Sequence, residues 1–174
     1  MSMIQADRLT FSYPGSPDPV FQDACFQIDT DWRLGLTGRN GRGKTTLLRL
    51  LSGGLDARGA IRSAMPMRYF PFPVDSPDDD TRGVLARLLP DCPEWRVLRE
   101  LTLLGVDENV LYRPFSTMSN GEQTKVLLAS LFLYEGEFFL IDEPTNHLDA
   151  EGRRALGAYL AGKKGYLLVS HDRD

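Results

Sequence analysis

Lys44 lies in the stretch GRNGRGKTT, residues 38–46, and two adjacent carboxylates, Asp142 and Glu143, follow an apolar run in LIDEPTNHLD, residues 140–149, with a third acid at Asp149. Neighbouring acids just past a buried strand repel one another and lose hydration, so their placement calls for a cation or a reaction that uses them. The glycine stretch supplies both. It fits G-x-x-x-x-G-K-[ST] at Gly38, Gly43, Lys44 and Thr45. In that pattern Gly38, Gly41 and Gly43 let backbone N–H groups converge on phosphate oxygens, and a helix beginning at the lysine adds its partial positive charge. The ligand this chemistry points to is a nucleoside triphosphate with Mg²⁺: Lys44 reaches the β- and γ-phosphates, Thr45 offers its hydroxyl to the metal, and Asp142 holds the metal from the strand end. Glu143 is then free to orient and polarise the water that attacks the γ-phosphate, a reaction governed by positioning and charge stabilisation. Asn40, Arg42 and Thr46 complete the loop residues expected around the nucleotide.

These residues need rigid elements behind them. WRLGLTG reads as a buried strand ending at Gly38, and KTTLLRLLSGG as a helix stopped by Gly53 and Gly54, which gives strand, glycine loop, helix. EFFLID and GYLLVS are short apolar runs separated by the helical EGRRALGAYLAG, the strand-helix-strand rhythm of a parallel sheet. Pro14, Pro17 and Pro19 mark an early hairpin or loop, and Pro66, Pro71, Pro73 and Pro77 a second break. Between the outer thirds, VLARLL, EWRVLRELTLLG and GEQTKVLLASLFL read as helices. The expected architecture is therefore α/β, a core from residues 1–74 and 137–174 with a helical lobe, residues 75–136, inserted between its halves. The acidic VDSPDDDTRG, with Asp78, Asp79 and Asp80, reads as a solvated connector without a catalytic role.

The bulk numbers exclude several classes. The 174 residues, 42% hydrophobic and 25% charged, suffice for one domain with a sizeable core. Twenty basic against 24 acidic residues leave a net charge of -4, so no global basic field holds the chain to nucleic acid or anionic lipid. Cys25 and Cys92 lack metal-ligand spacing and read as reduced thiols, no apolar run approaches the roughly 20 residues of a membrane span, and the start lacks an export signal. A cytoplasmic protein without direct membrane insertion is expected.

Taken together, these stretches resemble the ATP-binding-cassette ATPases over nearly the whole chain. GRNGRGKTT looks like the Walker A loop, MSNGEQ at 118–123 like the signature loop, FFLIDE like Walker B, NHLD like the D-loop, and SHD carries a switch histidine at His171. The resemblance implies a P-loop NTPase core with an antiparallel β part near the N-terminus, and ATP and Mg²⁺ as ligands. It implies that His171 contacts the γ-phosphate near the attacking water. It places an aromatic that stacks on adenine at Tyr13, with Phe11 as the alternative and a plain hairpin tyrosine as the bland one. Ser119 and Glu122 form a capping box, an ordinary helix start; the family adds that Ser119 and Gly121 complete the nucleotide site of an opposite cassette, with Asp149 lining the seam and His147 structural.

EPTNHLD with SNGEQTKVLLASLFL is similar to the ABC-F subgroup in particular, and the wording around TDWRLGLTGRNGRGKTTLLRLL to its antibiotic-resistance members. That resemblance implies a second cassette, in tandem or as a homodimer, and a ribosome reached through parts outside this chain, which looks like a first cassette that stops short. One departure stands out. Phe72 occupies the point after MRYFP where the family has its Q-loop glutamine, and no glutamine lies between the phosphate loop and the signature. The rival readings are the ATPase subunit of a membrane transporter and a nucleotide-gated clamp with incidental hydrolysis. The missing glutamine and EPTNHLD favour the ABC-F reading, and activity of one cassette alone is expected to be weak.

Overall fold

The structure is a computed structural model that describes residues 2–170, and His171 lies outside the described residues. The chain divides into two compact units: residues 1–69, 136–143 and 164–174 in one, and residues 70–135 with 144–163 in the other.

In the first unit β1 (Met3–Phe11) pairs antiparallel with β2 (Phe21–Asp29) and β4 (Arg58–Ser63), giving the sheet order β2-β1-β4. The proline-rich stretch is the β1–β2 hairpin, closed by Val20 N–H donating to Phe11 O at 2.8 Å. A second sheet runs β3 (Arg33–Leu36), β7 (Tyr166–Val169), β6 (Phe138–Asp142), β5 (Met67–Phe70), with β7 parallel to both β3 and β6. Every residue of β6 is buried, which is why FFLID reads as a continuous apolar run instead of an alternation. The register sets Asp142 opposite Val169 at the strand ends.

α1 (Lys44–Leu51) follows β3 through the glycine loop. Its Leu48 and Leu51 share one buried cluster with Ile4 and Ile28 of the antiparallel sheet and Phe138, Leu140, Leu167 and Val169 of the parallel sheet, while Leu50 packs with Leu9 and Phe11. Each such side chain contributes about 1.5–3 kcal/mol by burial. The helix that carries Lys44 at its start is thereby clamped on both faces.

The second unit is helical. It holds α2 (Thr81–Leu88), α3 (Glu94–Leu103), 3₁₀ turns at Glu108–Tyr112 and Phe115–Thr117, α4 (Asn120–Leu131) and α5 (Ala150–Ala161). The acidic connector builds its own start: Asp80 caps α2 by accepting from Gly83 N–H at 2.6 Å, Asp79 pairs with Arg87, and Asp78 accepts from Ser116 Oγ. α4 is buried from Val126 through Leu131, as a helix enclosed on all sides must be. Glu100 of α3 is buried too, and its Oε2 accepts from both Tyr159 Oη and Lys163 Nζ, so its charge is paired. Burial, and then that carboxylate, push the Tyr159 phenol well above the usual tyrosine range. Among the described residues no helix is long and apolar enough to cross a membrane.

Candidate functional site

The phosphate loop owes its shape to glycines in left-handed backbone. Gly43, the residue before α1, sits at φ 83°, and a Cβ added there would meet Val20 Cγ1 at 2.5 Å, so both conformation and space demand glycine. Lys44 follows, buried, its Nζ donating to Gly38 O at 2.7 Å and Arg39 O at 3.1 Å. Two of the three ammonium donors thus hold the loop closed on itself, with the charge kept at its centre.

A cleft of about 520 Å³ is lined by Tyr13, Val20, Asn40, Gly41, Gly43, Lys44, Thr45, Thr46 and Glu143. The loop and the second of the paired acids, remote in sequence, therefore face one space. Glu143 gets there by leaving strand geometry: its φ is 49°, and its N–H donates to Val169 O at 2.9 Å. A left-handed non-glycine residue costs about 1–2 kcal/mol, and such outliers cluster at functional sites. Arg42 is exposed on the loop beside this cleft, and Gly38 meets Lys44 through its carbonyl.

Tyr13 lies at the rim, 42% exposed, its Oη 2.8 Å from Thr46 Oγ1 and its ring edge-on to Phe11 at 4.9 Å. Phe11 is buried in the cluster with Leu9 and Leu50, which removes it as a surface for stacking. Phe72 packs edge-on against Phe70.

Asp142 sits behind the cleft, buried at the end of β6, with Oδ2 accepting from Tyr69 Oη at 2.8 Å and Oδ1 buried without a hydrogen-bond partner among the described residues. Burial first, and Asp142 second, push the Tyr69 phenol up to about 12, against a smaller opposing pull from Arg49. Sequence reasoning missed Tyr69. MRYFP was visible as a strand, and nothing in it says which of its side chains faces the acid.

In the helical unit the capping box is complete: Ser119 Oγ accepts from Glu122 N–H at 3.2 Å, and Glu122 Oε2 accepts from Ser119 N–H at 2.9 Å. The Ser119 N–H first, and then its hydroxyl, which also donates to Oε2 at 2.9 Å, hold the Glu122 carboxyl below its ordinary value. Gln123, also unassigned from sequence, ties the loop to the preceding turn by donating to Phe115 O and Met118 O. Gly121 packs so closely on His147 that a Cβ would lie 2.9 Å from the His147 carbonyl. The His147 side chain is exposed, and Asp149 caps α5 by accepting from Gly152 N–H at 2.7 Å.

A strand, a glycine loop and a lysine-led helix over a parallel sheet, with paired acids at the end of a strand two places across that sheet, define a P-loop nucleotide-binding domain. The family described as ABC transporter matches residues 21–87 and 90–146, and the chain belongs to it, as an ATP-binding cassette of the P-loop ATPase type. Within that family it is similar to ABC transporter F family member 3 of Arabidopsis thaliana, 35% identical over 177 residues, which cover 98% of this chain and 25% of that protein. The chain thus spans about a quarter of the length of the curated relatives it matches. Its fold is similar to a putative ABC transporter ATP-binding protein from Pyrococcus furiosus, with TM-score 0.82 at 20% identity over 99% of this chain and 92% of the other. It is similar also to a dimeric bacterial ABC transporter cassette, with TM-score 0.78 at 17% identity over 97% and 88%.

Proposed function

We propose that this cassette binds ATP with Mg²⁺ and hydrolyses it to ADP and phosphate, as the first cassette of an ABC-F protein that acts on the ribosome from the cytoplasm, of the antibiotic-resistance type. The observation that carries the nucleotide reading is the single cleft that gathers Tyr13, residues 40–46 and Glu143. Backbone N–H groups of Gly41 and Gly43 and the start of α1 receive the phosphates, and Lys44 adds its charge at the β- and γ-phosphates. Asn40, Arg42 and Thr46 flank them, and the Tyr13 ring offers its face to the base.

Thr45 and Asp142 fit Mg²⁺. Asp142 Oδ1 is a buried carboxylate oxygen with no hydrogen-bond partner among the described residues, and among them no group of three or more His, Cys, Asp or Glu is spaced to hold a metal by itself. Mg²⁺ is typically held by one or two carboxylates together with substrate phosphates, and Asp142 with Thr45 would supply the protein's share of such a set. When bound, it neutralises charge building on the phosphate oxygens. Glu143, turned into the cleft by its left-handed backbone, orients the attacking water and accepts its hydrogen bond. His171 steadies the γ-phosphate at that water. Ser119 and Gly121, at the capped start of α4, serve the site of a second cassette, in tandem or in a homodimer, so that one cassette alone turns over weakly.

The ribosome reading is supported by similarity to F-type relatives and by the EPTNHLD and SNGEQ wording. The test uses the full-length protein. Glu143→Gln should keep ATP affinity and slow phosphate release on the order of a hundredfold, the worth of one preorganised contact of about 3 kcal/mol. It should also co-sediment with ribosomes in ATP. Native turnover in that variant refutes the role of Glu143. ATP-independent sedimentation refutes the ribosome reading, and co-purification with a membrane permease would replace it with the transporter one.

A further inference from the structure

Tyr69 donates to Asp142 Oδ2 at 2.8 Å across 73 positions of sequence, while Oδ1 of the same carboxylate is buried with no hydrogen-bond partner among the described residues. The terminal torsion of an aspartate is broad and roughly two-fold, so the strand end alone does not decide which oxygen is presented, or at what tilt. The phenol decides it. One oxygen is held by a donor on the neighbouring strand, and the other is left as a desolvated acceptor whose cost a divalent cation offsets.

We infer that Tyr69 is a positioning residue: its hydroxyl holds Asp142 by Oδ2 so that Oδ1 meets the Mg²⁺ of a bound nucleoside triphosphate. The inference rests on the nucleotide reading above. A phenol suits the task because it is a neutral donor on a ring with few rotamers. An arginine or lysine at that place would cancel the charge the metal needs, whereas a neutral hydroxyl orients the carboxylate and leaves its charge in place. The strand that carries it is anchored as well. Arg68, the residue before, makes a two-point ion pair with Glu137 at the entrance to β6, Nε to Oε2 at 2.6 Å and Nη2 to Oε1 at 2.9 Å. One tie at the start of β6 and one at its end hold β5 and β6 together, so the phenol has little freedom to drift from the acid.

The test compares the native full-length protein with Tyr69→Phe, which keeps the ring and removes the hydroxyl, and with Tyr69→Leu as a second removal of the donor. Three quantities are measured: ATP affinity without divalent metal, the Mn²⁺ or Mg²⁺ concentration at half saturation of the nucleotide-loaded site, by Mn²⁺ electron paramagnetic resonance or calorimetry, and the thermal midpoint without ligands. Both variants should need about 10–100-fold more metal, the usual loss when a partner of a metal ligand is removed, with metal-free ATP affinity unchanged. Turnover should recover at high metal concentration. A metal midpoint within about twofold of native, well below that range, overturns the role of Tyr69, as does an equal loss of metal-free ATP binding, which would mark Tyr69 as merely structural. Absence of metal-dependent nucleotide uptake in the native protein overturns the nucleotide reading itself, and is seen before any variant is made.

Discussion

Replacing Gly43 by alanine separates two demands that the loop places on one residue. At φ 83° and ψ 12° an L-residue pays about 1–2 kcal/mol for left-handed backbone. The new methyl would also lie 2.5 Å from Val20 Cγ1 and 3.2 Å from Phe21 Cζ. Val20 is β-branched and stiff at χ1, so it cannot rotate out of the way cheaply, and overpacking of this kind costs about 1–3 kcal/mol. The sum is about 2–5 kcal/mol. Gly41→Ala is the control: its φ is 74°, and nothing lies within 4 Å of an added Cβ, so it carries the backbone cost alone, about 1–2 kcal/mol. At this chain length 1 kcal/mol moves the unfolding midpoint by about 2–4 °C, so Gly43→Ala should melt on the order of 4–20 °C below native and Gly41→Ala about 2–8 °C below. Circular dichroism melts without nucleotide read the stability, and ATP-dependent stabilisation reads the loop, which Gly43→Ala should lose. Equal midpoints for the two variants would refute the reasoning, because they would show that the Val20 contact is absorbed at no cost.

Two further expectations follow from the helical unit. Ser119→Ala removes the α4 cap and should cost about 1 kcal/mol at neutral pH. The Glu122 carboxyl is held below its ordinary 4.5, by the Ser119 backbone first and its hydroxyl second, so its contribution is fully present above that value and fades as pH falls through the lowered one. Urea unfolding of native and variant should therefore show a gap that narrows in acid, and a gap that widens there would contradict the capping box. Lys163→Met strips the buried Glu100 of its cation and should destabilise by about 3 kcal/mol, much of which Glu100→Gln in the same chain should restore. Denaturant midpoints of the single and double variants check this, and additivity of the two losses would refute it.

Much of the glycine loop's geometry was legible in sequence because it is local. Gly41, Gly43, Lys44 and Thr45 are consecutive or nearly so, and the left-handed turn before a helix that starts at Lys44 follows from the backbone freedom of glycine. The Ser119–Glu122 box spans one turn and was equally readable. Contacts between distant segments carry no such signature. Nothing in the spacing of MRYFP reveals that Tyr69 faces Asp142, or that Lys163 and Tyr159 close on Glu100. Tyr13 was the expected stacking aromatic with Phe11 as the alternative, and only the fold shows that Phe11 is buried with Leu9 and Leu50 while Tyr13 stays at the rim.

The amino-acid order by itself determined where the glycine loop turns into a helix and which acids stand at a strand end, since both depend on torsional preference and on neighbours a few residues away. Tertiary structure alone decided that Glu143 shares a cleft with the loop, that one Asp142 oxygen is tied to Tyr69 while the other has no hydrogen-bond partner among the described residues, and that β7 lies between β3 and β6. These depend on which segments pack together, and the burial of apolar side chains that drives such packing has no direction written in any short stretch of sequence.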